Sequence, residues 1–242
     1  MLSYLAAERI KLKRTFARKT VWIMPLLTLL IAFGLMGGPL YQAGVYNWWY
    51  VIMLPGALTL FCSLVIQRDA RMRFRGVLVL PVNARRIWLG KALVSMLWLL
   101  VVNLVLFVGA FLGGELLGQT VAPGQGFFGL MALGVMLAWQ IPLCMFLVLK
   151  CGLFVTILIN LAGNLLLGIM FATRDTWWAV PYAIPIRVMT PILRIQPNGV
   201  PAQADNPLLN PAVIVPGILI SLALCGLLLW LTALWFCKRE VR

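Results

Sequence analysis

The chain has 242 residues, 63% of them hydrophobic and only 11% charged. A soluble domain carries about one quarter charged residues, so this composition leaves room for one membrane domain, 1–242, and no sizeable soluble one. The net charge of +14 does not point to nucleic acid, because basic loops beside apolar spans set orientation and meet anionic lipid.

Residues 1–19 read as an amphipathic interfacial helix. Leu2, Leu5, Ile10, Leu12 and Phe16 interleave with Arg9, Lys11, Lys13, Arg14, Arg18 and Lys19. Apolar side chains would dip into the membrane interface while basic ones meet headgroups. The head lacks a small-residue cleavage motif at a plausible distance and does not read as a signal peptide. Residues 20–67 carry no charge, enough for two spans at about 20 residues each. Span 1 is predicted over 21–40, with Pro25 in its first turns, where a missing N–H costs little. A short external loop over 41–47 precedes Trp48, Trp49 and Tyr50, which read as an aromatic belt at the outer interface. Span 2 follows over 48–66, with a bend expected at Pro55–Gly56.

Residues 67–91, QRDARMRFRGVLVLPVNARRIWLGK, form a long cytoplasmic loop. Asp69 and Arg73 are four apart and suited to pair on a helix. Pro81 should stop a first helix near Leu80, and Asn83 fits the N-cap of a second. The VLVLPV stretch between two basic helices is an apolar patch of the kind that meets a partner or the membrane surface.

Span 3 is predicted over 92–117. Its Gly109/Gly113 pair, with Gly114/Gly118 beside it, allows close helix approach. A second external loop covers 119–126. Spans 4 and 5, over 127–149 and 151–172, meet at a tight inner turn whose only charge is Lys150. The external segment 173–212 holds seven Pro, which exclude one continuous helix. Trp177, Trp178 and Tyr182 belong at the interface, and the amphipathic piece 184–195 either lies on the outer leaflet or dips into it. Turns are expected at 196–199 and 206–210. Span 6 covers 212–236.

This gives an all-α polytopic membrane protein with six transmembrane helices and both termini cytoplasmic. Of the 20 Lys and Arg, 17 then fall on one face: the head, the 67–91 loop, Lys150, and the tail residues Lys238, Arg239 and Arg242. The opposite face balances Arg174, Arg187 and Arg194 against Glu115, Asp175 and Asp205. That is the positive-inside pattern. All five Cys sit in spans or at inner ends; with no CxxC and no His, nothing points to a zinc or haem site.

Catalytic chemistry finds no support. GxxxxGK[ST], HExxH and GxSxG do not occur, and the only ionisable residue within a predicted span is Glu115, near its outer end. No catalytic residue, metal ligand or cofactor is expected. Asn103, Gln140, Asn160 and Asn164 are the polar residues within the membrane. They serve either as interhelical hydrogen bonds that hold the bundle together or as the lining of a path for an amphipathic cargo. A pump with no energy source of its own must borrow one, and the apolar-tipped loop is the natural docking point for a soluble motor.

The basic amphipathic head, the loop after span 2 and the short turn at Lys150 together resemble a permease subunit of the ABC-2 exporter superfamily. The resemblance implies that the head is an elbow helix and that residues 71–86 couple to a cytoplasmic ABC ATPase. The implied contacts are Arg71, Arg75, Val77, Leu78, Leu80, Pro81, Arg85 and Arg86. More narrowly, ERIKLKRTF, YNWWYVIMLPG, LPVNARRIWLGK and PYAIPIRVMTPILRIQPNGVPA, in that order, resemble the lantibiotic self-immunity permeases. Members of that family reside in the bacterial cell membrane and work with a separate ATPase and a sister permease. They expel the producer's own lanthionine peptide. Export of another amphipathic substrate (a drug, lipid or other bacteriocin), a second copy of this chain in place of the sister, and a non-transporting scaffold or sensor are the alternatives.

Overall fold

The computed structural model describes residues 2–12, 15–71 and 83–238. Among them the secondary structure is helical, with one isolated antiparallel bridge, Ile195 to Pro201. Among the described residues, five helical stretches are long and apolar enough to cross a membrane: Phe16–Met36, Gly38–Gln67, Ala84–Leu117, Gln140–Ala172 and Pro211–Cys237.

The head splits in two. α1 spans Leu2–Leu12, and α2, Phe16–Met36, begins before the predicted span and takes up residues 16–19. Pro25 therefore lies in the helix interior rather than in its first turns. α2 turns its small residues inward, burying Ala17, Thr20, Thr28 and Ala32, and exposes Trp22, Leu26, Leu30 and Phe33. Small residues at the helix interface with large apolar ones outside is the membrane arrangement.

Gly37 and Gly38, at φ 27° and 57°, reverse the chain at once. That positive φ is open to glycine and strained for other residues. The predicted external loop 41–47 is instead helical: a 3-10 turn at Gly38–Leu40, α3 over Tyr41–Trp48, a π segment at Trp49–Met53 and α4 over Leu54–Arg71. Trp49 and Tyr50 are buried, not a belt at the outer interface, because α3 continues the second leg past them. The π segment ends two residues before Pro55, which has no N–H to give the preceding turn.

α5, Ala84–Leu117, is one unbroken helix of 34 residues. Asn83 caps it as expected, its Oδ1 accepting from the Arg85 and Arg86 amides at 2.9 and 3.4 Å. The glycine stripe of α5 is used inside the chain. A side chain at Gly109, Gly113 or Gly114 would meet Leu29, Tyr41 or Gln42.

α6, Pro123–Leu137, leads into α7, Gln140–Ala162. Gly152 breaks α7 with φ 83° and ψ 171°. Asn160 Nδ2 donates to Gln140 Oε1 at 3.1 Å. A straight helix would hold residues twenty apart at about 30 Å, so the chain folds back at Gly152. Lys150 sits at this turn, its ammonium 5.3 Å from the Trp235 ring centroid. A second π segment, Gly163–Gly168, packs against the first, and α8 covers Ile169–Ala172.

The segment 173–212 holds α9, Ala183–Leu193, and the last leg is α10, Ile214–Cys237. α9 is buried over nearly its whole length among α6, the second π segment and α10. It therefore enters the bundle instead of lying on a surface. The turn at 196–199 closes through Gly199 N–H to Gln196 O at 2.9 Å, and Asn206 and Asn210 each cap a short 3-10 turn.

Candidate functional site

Two buried polar clusters stand out, one at an end of the bundle and one midway along its legs. The first is built where α1, the end of α4 and the start of α5 meet. Glu8 and Lys11 lie three apart on one face of α1 and pair at 2.7 Å. Lys91 pairs with Glu8 at 2.7 Å and with Asp69 at 2.5 Å, and Lys11 reaches Asp69 at 3.2 Å. The Lys91 ammonium also donates to the Val65 carbonyl at 3.3 Å. Lys91 is fully buried, and Glu8 and Asp69 are nearly so.

The four charges sum to zero. Burial alone pushes the Lys11 ammonium down, but the hydrogen bond and charge of Glu8, with Asp69, leave it raised above an ordinary lysine. Burial also pulls the Asp69 carboxyl up, and the charges and hydrogen bonds of Lys91 and Lys11 overcome this and hold it low.

Asp69 is thus engaged across elements; its expected i,i+4 partner Arg73 lies outside the described residues. Lys11 and Lys91 spend their charge inside the protein, not on headgroups. The same end gathers further contacts. Trp88 donates to Thr232 at 3.0 Å and stacks on Phe236, and Trp235 meets Phe146 and Lys150.

Of the expected ATPase contacts, Arg71 closes α4, and Arg85 and Arg86 are exposed in the first turn of α5. Arg75, Val77, Leu78, Leu80 and Pro81 fall outside the described residues.

The second cluster contains the four intramembrane amides, all buried to 1% exposure or less. Three are brought together. Asn160 Nδ2 lies within hydrogen-bonding distance of the Pro55 carbonyl, Thr59 Oγ1 and Gln140 Oε1, at 2.9 to 3.1 Å. Asn164 Nδ2 donates to the Asn160 carbonyl at 2.8 Å. Asn103 stands apart, its Oδ1 accepting from Trp49 Nε1 at 2.8 Å. Each amide also keeps one buried atom without a partner: Asn103 Nδ2, Gln140 Nε2, Asn160 Oδ1 and Asn164 Oδ1. The neighbouring Trp139 Nε1 is unpartnered as well. The amides tie legs together and are surrounded by protein.

Sequence reasoning missed the charge cluster. Its signal was present: Glu8 is the one acid among the six cations of the head, and Asp69 the one acid in the 67–91 loop. It also missed Gln42, which clasps the opposite end of the bundle. Gln42 donates to the Ala110 carbonyl at 3.1 Å and accepts from the Thr120 and Val121 amides at 2.7 and 2.9 Å. At that end Arg187 is buried, its guanidinium donating to the Leu208 carbonyl at 2.6 Å. It holds the Pro207–Leu209 turn to α9. Arg194 is exposed and ends α9 in a left-handed conformation.

Among the described residues, no three His, Cys, Asp or Glu side chains converge to hold a metal. No curated protein and no solved structure matches the chain. The family model described as ABC-2 family transporter protein matches residues 4–174, from within α1 to just beyond α8 and short of α9. The chain therefore belongs to the ABC-2 transporter family: it is a membrane permease subunit of an ABC transporter, not itself catalytic, of a family that associates with an ABC ATPase.

Proposed function

We propose that the chain is the permease of an exporter that removes lantibiotic peptide from the bacterial cell membrane and so protects the producer. The membrane would be crossed six times, with both termini cytoplasmic. The fold-back at Gly152 supports six crossings, since it makes two legs of the stretch Gln140–Ala172. The observation that carries the orientation is the gathering of α1, the end of α4, the start of α5, Lys150 and the end of α10 at one end. That end bears the basic excess expected of the cytoplasmic side.

In this reading the ATPase docks on the 67–91 loop, with Arg71, Arg75, Val77, Leu78, Leu80, Pro81, Arg85 and Arg86 as contacts. A sister permease or a second copy of this chain completes the membrane half, and lipid surrounds it. The amphipathic peptide would meet the protein at its near-neutral outer end, which carries exposed Trp178 and Arg194.

Two measurements test the reading. Leu80→Asp should abolish co-purification with the ATPase while leaving membrane insertion intact; unchanged association would remove the docking assignment. Co-expression of the chain with its partners in a sensitive bacterium should raise the inhibitory concentration of a lantibiotic. Protection against a drug or a non-lanthionine bacteriocin alone would reassign the cargo. Protection that survives a catalytically dead ATPase would instead mark a scaffold or sensor.

A further inference from the structure

At the end of the bundle opposite the ion cluster, one cation is buried without an acid. Arg187 stands midway along α9 and is only 7% exposed. Its Nη1 donates to the Leu208 carbonyl at 2.6 Å, and no other hydrogen bond or ion pair of this side chain occurs among the described residues. A guanidinium carries five N–H donors in a planar fork, so most of them are unspent. They are not sealed in like the orphaned amides but keep a narrow opening to the surroundings. The acids of this end, Glu115, Asp175 and Asp205, are all exposed, and none pairs with Arg187. The neighbouring cations Arg174 and Arg194 are exposed, where water screens them. Arg187 differs from both, because a cation taken out of water is strongly disfavoured until an opposite charge meets it. It also lies beyond residues 4–174, the part of the chain that the family model matches.

The level of the guanidinium decides which anion can reach it. Leu208, to which it is bonded, lies three residues before Pro211, where the last membrane-crossing stretch begins. The Trp177–Ala179 turn also packs on α9 and leaves Trp178 exposed, and tryptophan seeks the membrane–water interface. Phospholipid phosphates lie at that level. A guanidinium fork matches a phosphate with two parallel hydrogen bonds, which a point charge does not. We infer that Arg187, held between α9 and the Pro207–Leu209 turn, is a binding site for an oxoanion, the phosphodiester of a phospholipid headgroup. The Leu208 carbonyl fixes the fork through Nη1, and the Nε and Nη2 edge is left for the phosphate oxygens. A cation at a membrane level marks a site whose partner is to be named by its charge, and here that partner is lipid. The site requires neither the ATPase nor the cargo.

The test uses the full-length chain in detergent. It is titrated with phosphatidylglycerol, with diacylglycerol of the same acyl chains, and with sodium phosphate. Native mass spectrometry follows bound lipid, and the melting temperature follows stabilisation. The unaltered chain should bind phosphatidylglycerol, gain melting temperature from it, and gain nothing from diacylglycerol. Arg187→Gln should weaken phosphatidylglycerol binding by about tenfold or more, the usual worth of a hydrogen bond to a charged group. Arg187→Met should do the same, and its apolar chain suits a buried place, so it serves where the Gln variant does not fold. Arg187→Lys keeps the cation and should retain most of the binding, and Arg194→Gln, at an exposed cation, should retain all of it. Undiminished phosphatidylglycerol binding in R187Q or R187M overturns the site. Equal stabilisation of the unaltered chain by diacylglycerol overturns it too, by making acyl chains the ligand. Full stabilisation by sodium phosphate, with no further gain from phosphatidylglycerol, overturns the lipid source and leaves a free oxoanion in its place.

Discussion

At one end of the bundle, three buried charges and the partly exposed Lys11 each meet an opposite charge within 3.2 Å. Midway along the legs, four amides are buried as deeply, yet each keeps an atom with no partner. The contrast follows from the chemistry. An unpaired buried charge costs several kcal/mol, so an ionic cluster must be closed to exist at all. Interhelical hydrogen bonds in membranes average only about 0.6 kcal/mol, so an amide set is able to form incompletely and exchange partners. The first cluster is a rigid tie, and the second is the softer region, where legs can repack.

Mutations should separate the two. Lys91→Met removes one partner from the closed set and leaves Glu8 and Asp69 with Lys11 alone. It should destabilise the protein by about 3–5 kcal/mol, read as a large fall in detergent melting temperature. Titration attacks the same tie from both sides. The Asp69 carboxyl is lowered on folding, so its contribution is present above the ordinary carboxyl pKa of 3.8 and lost as pH falls below it. Lys11 is raised, so its contribution is complete below 10.5 and lost as pH rises beyond it. Stability against pH should be flat between these limits and fall at each, and Asp69→Asn should remove the acid limb.

Smaller effects are expected elsewhere. Gly114→Val would drive a side chain into Gln42 and open the clasp, costing about 1–3 kcal/mol. Asn83→Ala strips the cap of α5 and should cost about 1 kcal/mol. Asn160→Leu deletes an amide whose Oδ1 already lacks a partner and should cost about 0.6 kcal/mol, the least of the set. If Asn160→Leu proved as damaging as Lys91→Met, the division into a rigid and a soft cluster would fail.

Much of the fold was legible because its causes are local. Uncharged runs mark the legs, Asn83 marks the start of α5, and the glycines and prolines mark the turns. The four amides were legible as residues, since polar groups are rare in an apolar span, but their grouping was not. Gln140 and Asn160 meet only because Gly152 folds the chain back, and a composition reading does not fix that geometry. The aromatic belt failed for a related reason. Trp49 and Tyr50 have the chemistry of interface residues, but the reversal at Gly37–Gly38 places them a helical segment deeper. The ion cluster was obscured by arithmetic: net charge counts Lys11 and Lys91 as surface cations, whereas pairing cancels them.

The unbroken length of α5 has a mechanical meaning. Lys91 fixes it near one end, and the Gln42 clasp on Ala110, Thr120 and Val121 grips the other. From Lys91 to Gly118 such a rod is about 40 Å long, so a tilt of about 5° at the Lys91 pivot sweeps the far tip through about 3.5 Å. No kink within α5 absorbs that rotation. The helix is a lever, and a small push at the Lys91 end becomes a displacement of atomic diameter at the Gln42 end.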